Sequence, residues 1–268
     1  MIKPLAVSLA ALLASPVFSQ AQSLPLATSS GIELGLQISD YKYEEQFKGA
    51  FLMSNAGTKW GVTGSYTHTL GKGWYWSGDA RFAVGEVQYT GTGTKGGNPD
   101  LLFDGRLIGG RDFARGSYLL SPYAGLGYRS LYNDLRGLTS TGATGYRRNS
   151  RYVYLPLGLT HRFQWDGQAR VSTSLEYDYF LEGEQQSFLS DSDSRFNDPV
   201  NAQKNGYGIR LASSYETGSW SWGLFYQFWS LQDSDRSLLT ASGVPIFYMI
   251  EPQNTTTEVG VQLKYRYK

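Results

Sequence analysis

The sequence predicts an all-β protein: an antiparallel, up-and-down transmembrane β-barrel, with ten strands as the count. Two observations carry the prediction. Ten stretches alternate apolar and polar residues with period two, as in a strand with one apolar and one wet face. The connections between them alternate in length, four tight turns against five long polar segments. A third observation supports both: aromatic residues, 15% of the 268, gather near the two ends of these stretches. Amphipathic rings favour the headgroup depth at each membrane interface.

The strands are assigned in order. The first, Gly31–Tyr41, puts Ile32, Leu34, Leu36 and Ile38 on the lipid face and Glu33, Gly35, Gln37 and Ser39 inside. A long connection over 42–57 leads to Thr58–Leu70, whose outer face carries Trp60, Val62, Tyr66 and Leu70. Gly71-Lys72-Gly73 then supplies a tight turn, because glycine reaches positive φ without steric cost. Trp74–Tyr89 and Leu101–Phe113 flank a Gly/Thr-rich connection at 90–98, and Ala114–Ser117 turns the chain. Tyr118–Tyr132 and Asn149–Phe163 flank a polar loop at 133–148. Pro156, which has no N–H for a ladder, predicts a bulge or register change in the latter strand. Asp166-Gly167 marks the next hairpin, before Ala169–Leu181. A Ser/Asp/Gln/Asn-rich loop at 182–204 precedes Asn205–Glu216, Thr217–Ser219 turns, and Trp220–Leu231 follows. After a last loop at 232–254, Thr257, Val259, Val261, Leu263, Tyr265 and Tyr267 line the outer face of the closing strand. Phe51-Leu52-Met53, in the first connection, reads as an extension of strand two or an extra edge, which leaves counts of eight or twelve open.

Residues 1–21 read as a secretory signal peptide, with Lys3, an apolar run from Leu5 to Phe18 and small residues before a cleavage site after Ala21. That run is shorter than the ~20 residues of a spanning helix. The barrel domain is then 22–268. There is no cysteine, which excludes disulfides, thiolate metal sites and cysteine nucleophiles. Mean hydropathy is negative, as expected when only alternate residues of a strand meet lipid. A net charge of +1 points to no nucleic-acid partner. No motif predicts a cofactor or a metal. Asp191-Ser-Asp193-Ser-Arg195-Phe-Asn197-Asp198 spaces oxygen ligands as a calcium loop does, but Phe196 stands where the glycine belongs, so a polar loop is expected.

The inward register collects charge of both signs. The acids are Glu33, Asp79, Asp104, Glu176, Asp178, Glu216 and Glu258; the bases are Arg81, Arg106, Arg129, Arg162, Arg170, Arg210, Lys264 and Arg266. A narrow barrel is normally filled by its own side chains, so a paired ionic network that closes the bore is expected. The competing reading is a small pore without ion preference.

These features resemble the outer-membrane β-barrel proteins of Gram-negative bacteria as a class, over residues 30–268. The resemblance implies location in the outer membrane among lipid and lipopolysaccharide, with both termini on the periplasmic side beside the short turns. Glu258-x-Gly260-x-x-Leu263-x-Tyr265 resembles the C-terminal sorting signal of such proteins, which implies folding by the barrel-assembly machinery. A ten-strand count is also the architecture of the omptin family of outer-membrane proteases, whose catalytic set pairs acidic residues with a histidine at the extracellular rim. Here the two histidines, His68 and His161, both fall beside short turns and register outward, so that role does not carry over. The functional expectation is a non-enzymatic barrel that presents long extracellular loops to a partner of unknown identity or serves a structural role. A narrow passive channel is the alternative, and a rim-sited hydrolase is disfavoured. In the last loop, Gly243-Val-Pro-Ile-Phe-Tyr-Met-Ile250 is an apolar run that predicts either a plug or a contact site.

Overall fold

A computed structural model describes residues 24–267. The signal-peptide expectation for 1–21 lies outside the described residues. The strands are β1 (Gly31–Phe47), β2 (Ala50–Gly71), β3 (Trp74–Gly91), β4 (Gly93–Arg111), β5 (Phe113–Arg115), β6 (Tyr118–Leu138), β7 (Thr144–Gln164), β8 (Ala169–Phe188), β9 (Val200–Gln203), β10 (Gly206–Thr217), β11 (Trp220–Leu231), β12 (Ser237–Ala241), β13 (Val244–Met249) and β14 (Gln253–Tyr267). Ten of them, β1, β2, β3, β4, β6, β7, β8, β10, β11 and β14, form a closed antiparallel barrel. β5 continues β4 beyond Asp112, β9 pairs with the end of β8, and β12 and β13 form a separate hairpin.

The closing strand β14 pairs with β1. Leu34 pairs with Tyr265, Leu36 with Leu263 and Ile38 with Val261, so apolar side chains meet on the lipid face across the seam. Trp60, Val62, Phe82, Leu126, Leu157, Leu175, Leu224 and Val261 are all exposed on the outer wall, as a membrane-facing surface requires.

The long connections differ from expectation. β2 has 22 residues, about twice the ~9–11 needed to cross a membrane. The segments 42–57, 90–98 and most of 133–148 are therefore strand, joined by turns at Lys48-Gly49, Thr92 and Thr139–Ala143. Phe51-Leu52-Met53 extends β2 and adds no strand. The reason is visible in the side chains. Above Ile38 the alternation continues but its chemistry reverses: Asp40 and Lys42 are exposed outside, while Tyr41 and Tyr43 are buried inside. The wall outside has left lipid for water, and the interior has become a hydrophobic core. Tyr41, Val87, Leu102, Leu131, Tyr152, Tyr154, Phe180 and Trp229 pack in that core.

The irregularity assigned to Pro156 is displaced. Pro156 pairs in register with Asp178, and the shift against β8 falls between Val153 and Tyr154, where Leu181 has no partner. Pro156 leaves its mark on the other neighbour: no partners are formed between Gly125-Leu126 and Leu155-Pro156, because proline brings no donor. Ala114–Ser117 is likewise shorter than expected as a turn, since Phe113–Arg115 still pairs with β6.

Candidate functional site: the barrel interior and the loop-end hairpin

The inward charges form layers along the barrel axis. Nearest the short turns, Arg266 donates to Glu33 at 2.6 Å. Arg170 donates to Glu216 at 2.7 Å, and Arg162 lies 3.6 Å from Asp112. The chain before β1 tucks into this mouth: Thr28 N–H donates to Asp112 at 2.6 Å, and Arg266 donates to Ser29 Oγ at 3.0 Å. Above it lie two adjoining polar cavities of about 250 and 200 Å³, both bordered by Glu33, Asp79, Arg106 and Lys264. Lys264 has no carboxylate partner among the described residues, the exception in an otherwise paired set.

The middle layer closes the bore. Arg106 bridges Asp79 at 2.9 Å and Glu176 at 2.6 Å. Arg210 donates to Asp178 at 2.6 Å and Asp104 at 2.9 Å. Asp104 also accepts from Tyr154 at 2.7 Å and from Arg129 at 3.3 Å. Across the bore, Glu258 accepts from Arg81 at 2.8 Å and Ser39 at 2.7 Å. Trp229 seals the layer: its ring lies 5.4 Å from the Arg129 guanidinium and 5.0 Å from the Tyr154 ring, and both Arg129 and Trp229 are fully buried. The cations sit on aromatic faces as well as on carboxylates, which offsets the cost of removing them from water.

Two further layers were missed in the sequence. Lys59 pairs with Asp100, lies 3.6 Å from the Tyr41 ring centroid, and leaves Asp100 to accept also from Asn133 at 2.9 Å. Both residues have inward parity, Lys59 beside outward Trp60 and Asp100 beside outward Leu101, so parity alone could have found them. At the loop end, Arg148 of β7 pairs with both Glu45 of β1 and Glu251, just before β14. Tyr43 Oη lies 2.9 Å from Glu45 Oε1 and 3.1 Å from Glu251 Oε1. Burial, and then the neighbouring Glu45, push the Glu251 carboxyl up to about 8 against the pull of Arg148. Tyr43, Glu45 and Arg148 lie on strand ends beyond the outward apolar stretch, and Glu251 lies outside any strand, so no apolar alternation marks them in the sequence.

The loop over 182–204 is organised by carboxylate clips. Asp191 accepts from Arg147 at 2.7 Å, Asp193 from Arg195 at 3.0 Å, and Asp198 from the Ser190 N–H at 2.9 Å. The Arg195 hydrogen bonds hold Asp193 down at about 2. Each acid of the calcium-like spacing is thus engaged with a protein donor. The apolar run of the last loop becomes β13, which pairs with β12. This strand stands out from the rim, with Val244, Ile246, Phe247 and Tyr248 exposed to 65%, 47%, 55% and 66%. It does not fold inward as a plug.

Of the residues in the sorting-like pattern, Glu258 points inward to Arg81, and Leu263 pairs with Trp222 on the outer face. Gly260 admits no side chain, since a Cβ there would stand 2.5 Å from the Phe225 ring and 2.6 Å from the Ile38 carbonyl oxygen. His68 and His161 are on the outer face among aromatics, His68 6.0 Å from Trp76 and His161 5.7 Å from Tyr118.

No protein-family model and no curated protein sequence matches the chain. Among solved structures it is similar to the outer membrane protease OmpT from Escherichia coli, with 12% identity, a TM-score of 0.61, and coverage of 90% of this chain and 99% of that one. It also matches the translocator domain of the autotransporter NalP from Neisseria meningitidis, with 14% identity and a TM-score of 0.46 over 90% of each chain. Neisserial surface protein A matches at 11% identity and a TM-score of 0.35, over 89% of this chain and 98% of that one. The likeness to OmpT is one of fold: the chain is a closed ten-stranded antiparallel β-barrel of the kind found in outer-membrane proteins.

Proposed function

We propose that the protein is a non-enzymatic surface barrel, whose loop end faces outward from the cell and offers the β12–β13 hairpin to a partner. The termini and short turns then face the periplasm, and β14 carries the signal read by the barrel-assembly machinery. The observation that carries the reading is the hairpin itself. Four large apolar side chains on one six-residue strand are exposed together, with no charge from Ser237 to Ile250. Soluble surfaces rarely keep such a patch without using it. One edge of β13 pairs with β12, which leaves the other as a template for an extended apolar segment of a partner.

Two further features support the reading over its competitors. The bore is filled at mid-height by Arg129, Trp229 and Tyr154, which speaks against a solute path. Both histidines lie on the lipid face away from the loop end, which removes the most readily recognised general base from the rim.

The test replaces Val244, Ile246, Phe247 and Tyr248 together by serine on cells that display the protein. Attachment of cells to one another and to apolar surfaces should fall about tenfold or more, with assembly unchanged by heat-modifiable gel migration. Unchanged attachment would sink the proposal.

A further inference from the structure

We propose that the loop segment carrying the β12–β13 hairpin is held to the barrel rim by a proton-operated latch, in which Glu251 and Glu45 share Arg148 and Tyr43. As regulation of partner contact this rests on the reading of the hairpin above; the latch itself stands on the geometry alone.

Glu251 sits at the root of the segment between β11 and β14. Its backbone N–H donates to Ser234 Oγ at 2.7 Å and its carbonyl accepts from Ser234 N–H at 2.9 Å, so the two legs of the segment are tied at this residue. The legs are also tied to β9: Asn201 Nδ2 donates to the carbonyls of Asp235 at 3.0 Å and Met249 at 3.2 Å. The Glu251 side chain then turns into the barrel and reaches Arg148 of β7 and Tyr43 of β1. It is the one charged contact from the segment to the barrel interior among the described residues; Asp235 pairs outside with Lys204, and Asp233 accepts from the Gln253 N–H.

Charge counting explains why this contact responds to protons. The groups that face the Glu251 carboxyl are Glu45 and Tyr43 from β1, and Arg148, Tyr146 and Tyr152 from β7. Glu45 and Glu251 are both buried, and between them stand one guanidinium charge and one hydroxyl hydrogen on Tyr43, which serves one carboxylate at a time. With both acids ionised the buried cluster carries one uncompensated negative charge. With a proton on Glu251 it is neutral, and the protonated acid becomes a donor. Like charges that share a site keep a proton well above the ordinary carboxylate range.

The sign follows. In the closed state burial and the neighbouring Glu45 hold the proton on Glu251 well above the ordinary carboxylate range, whereas in the open state the carboxyl meets water and ionises near the ordinary 4.5. Opening therefore releases a proton throughout that window, and the latch is tightest below it. The closed-to-open ratio should fall about tenfold per pH unit between those limits and level off above the upper one.

The chain has no cysteine, so spin labels on cysteines placed at Ser242, in the hairpin turn, and Lys48, at the β1–β2 turn, would be unique. Distances between them would be measured in the intact barrel in micelles across pH 5 to 9, with no partner present. The expected result is a single narrow distance population at pH 5 that gives way to a broad one by pH 8. E251Q should keep the narrow population at every pH, because it is neutral and can still donate. E45Q should do the same, because a single carboxylate then faces Arg148. Identical distributions from pH 5 to 9 in the parent protein, or an unaltered pH response in E251Q, would overturn the latch. Loss of cell attachment in the serine variant bears on the hairpin's role alone, so the two proposals fail separately.

Discussion

Asp104 shows how much one inward residue carries. It accepts from Arg129, Arg210 and Tyr154, all deep in the barrel. Asp104→Ala leaves two buried guanidinium groups short of their counter-charge, so unfolding in urea from micelles should show a loss of about 3–5 kcal/mol. Glu33→Ala breaks the partly exposed pair with Arg266 at the short-turn mouth and should cost at most about 1 kcal/mol in the same assay. Equal losses for the two variants would contradict the layered picture. In the sequence the two acids are equals, because parity tells the side of the wall and says nothing of depth along the bore.

At the scale of elements, each long strand crosses two solvents. Leu36 and Lys42 have the same outward parity on β1, yet Leu36 faces the apolar band and Lys42 faces water beyond it. Leu36→Arg should destabilise the barrel by about 2–4 kcal/mol, as a cation on the lipid face does near mid-membrane. Lys42→Ser should stay within about 0.5 kcal/mol. Urea titrations of both variants would check the contrast, and comparable effects would mean that β1 does not leave the membrane near Asp40. The alternation continues over 42–57, with Tyr43, Met53 and Asn55 inside, but its chemistry inverts there, so outward apolar residues no longer mark the strand. Glu45 and Arg148 lie in such inverted stretches, and Glu251 lies outside any strand, where parity assigns no face.

At the scale of the whole molecule, the interior divides into a wet vestibule and a dry plug. Glu33, Asp79 and Arg106 line polar cavities towards the short-turn end, and Arg129, Trp229 and Leu102 are fully buried above them. The expected outcome in planar bilayers is silence: no stable single-channel openings at ordinary voltages. Steady openings of uniform size would show a path through the plug and restore the channel reading. The same division gives the barrel two independent ends, so changes to the hairpin should leave the vestibule as it is.

By itself the sequence determined the period, the parity and the closure of the barrel. Those follow from local geometry: a strand turns its side chains over every residue, and a one-residue slip at the β1–β14 seam would carry Leu36 and Ile38 off the lipid face and into the bore. It also determined which charges line the interior along the membrane-crossing stretches. Only the tertiary structure decided where lipid ends along each strand, which carboxylate meets which guanidinium, and that Glu251 reaches back across the rim to Arg148 and Glu45. Those outcomes depend on axial position and on contacts between residues from about 25 to more than 200 apart in the chain, such as Asp104 with Arg129 and Glu251 with Tyr43. Period-two alternation is blind to both quantities, since it records the face on which a side chain lies and neither its height nor its neighbour.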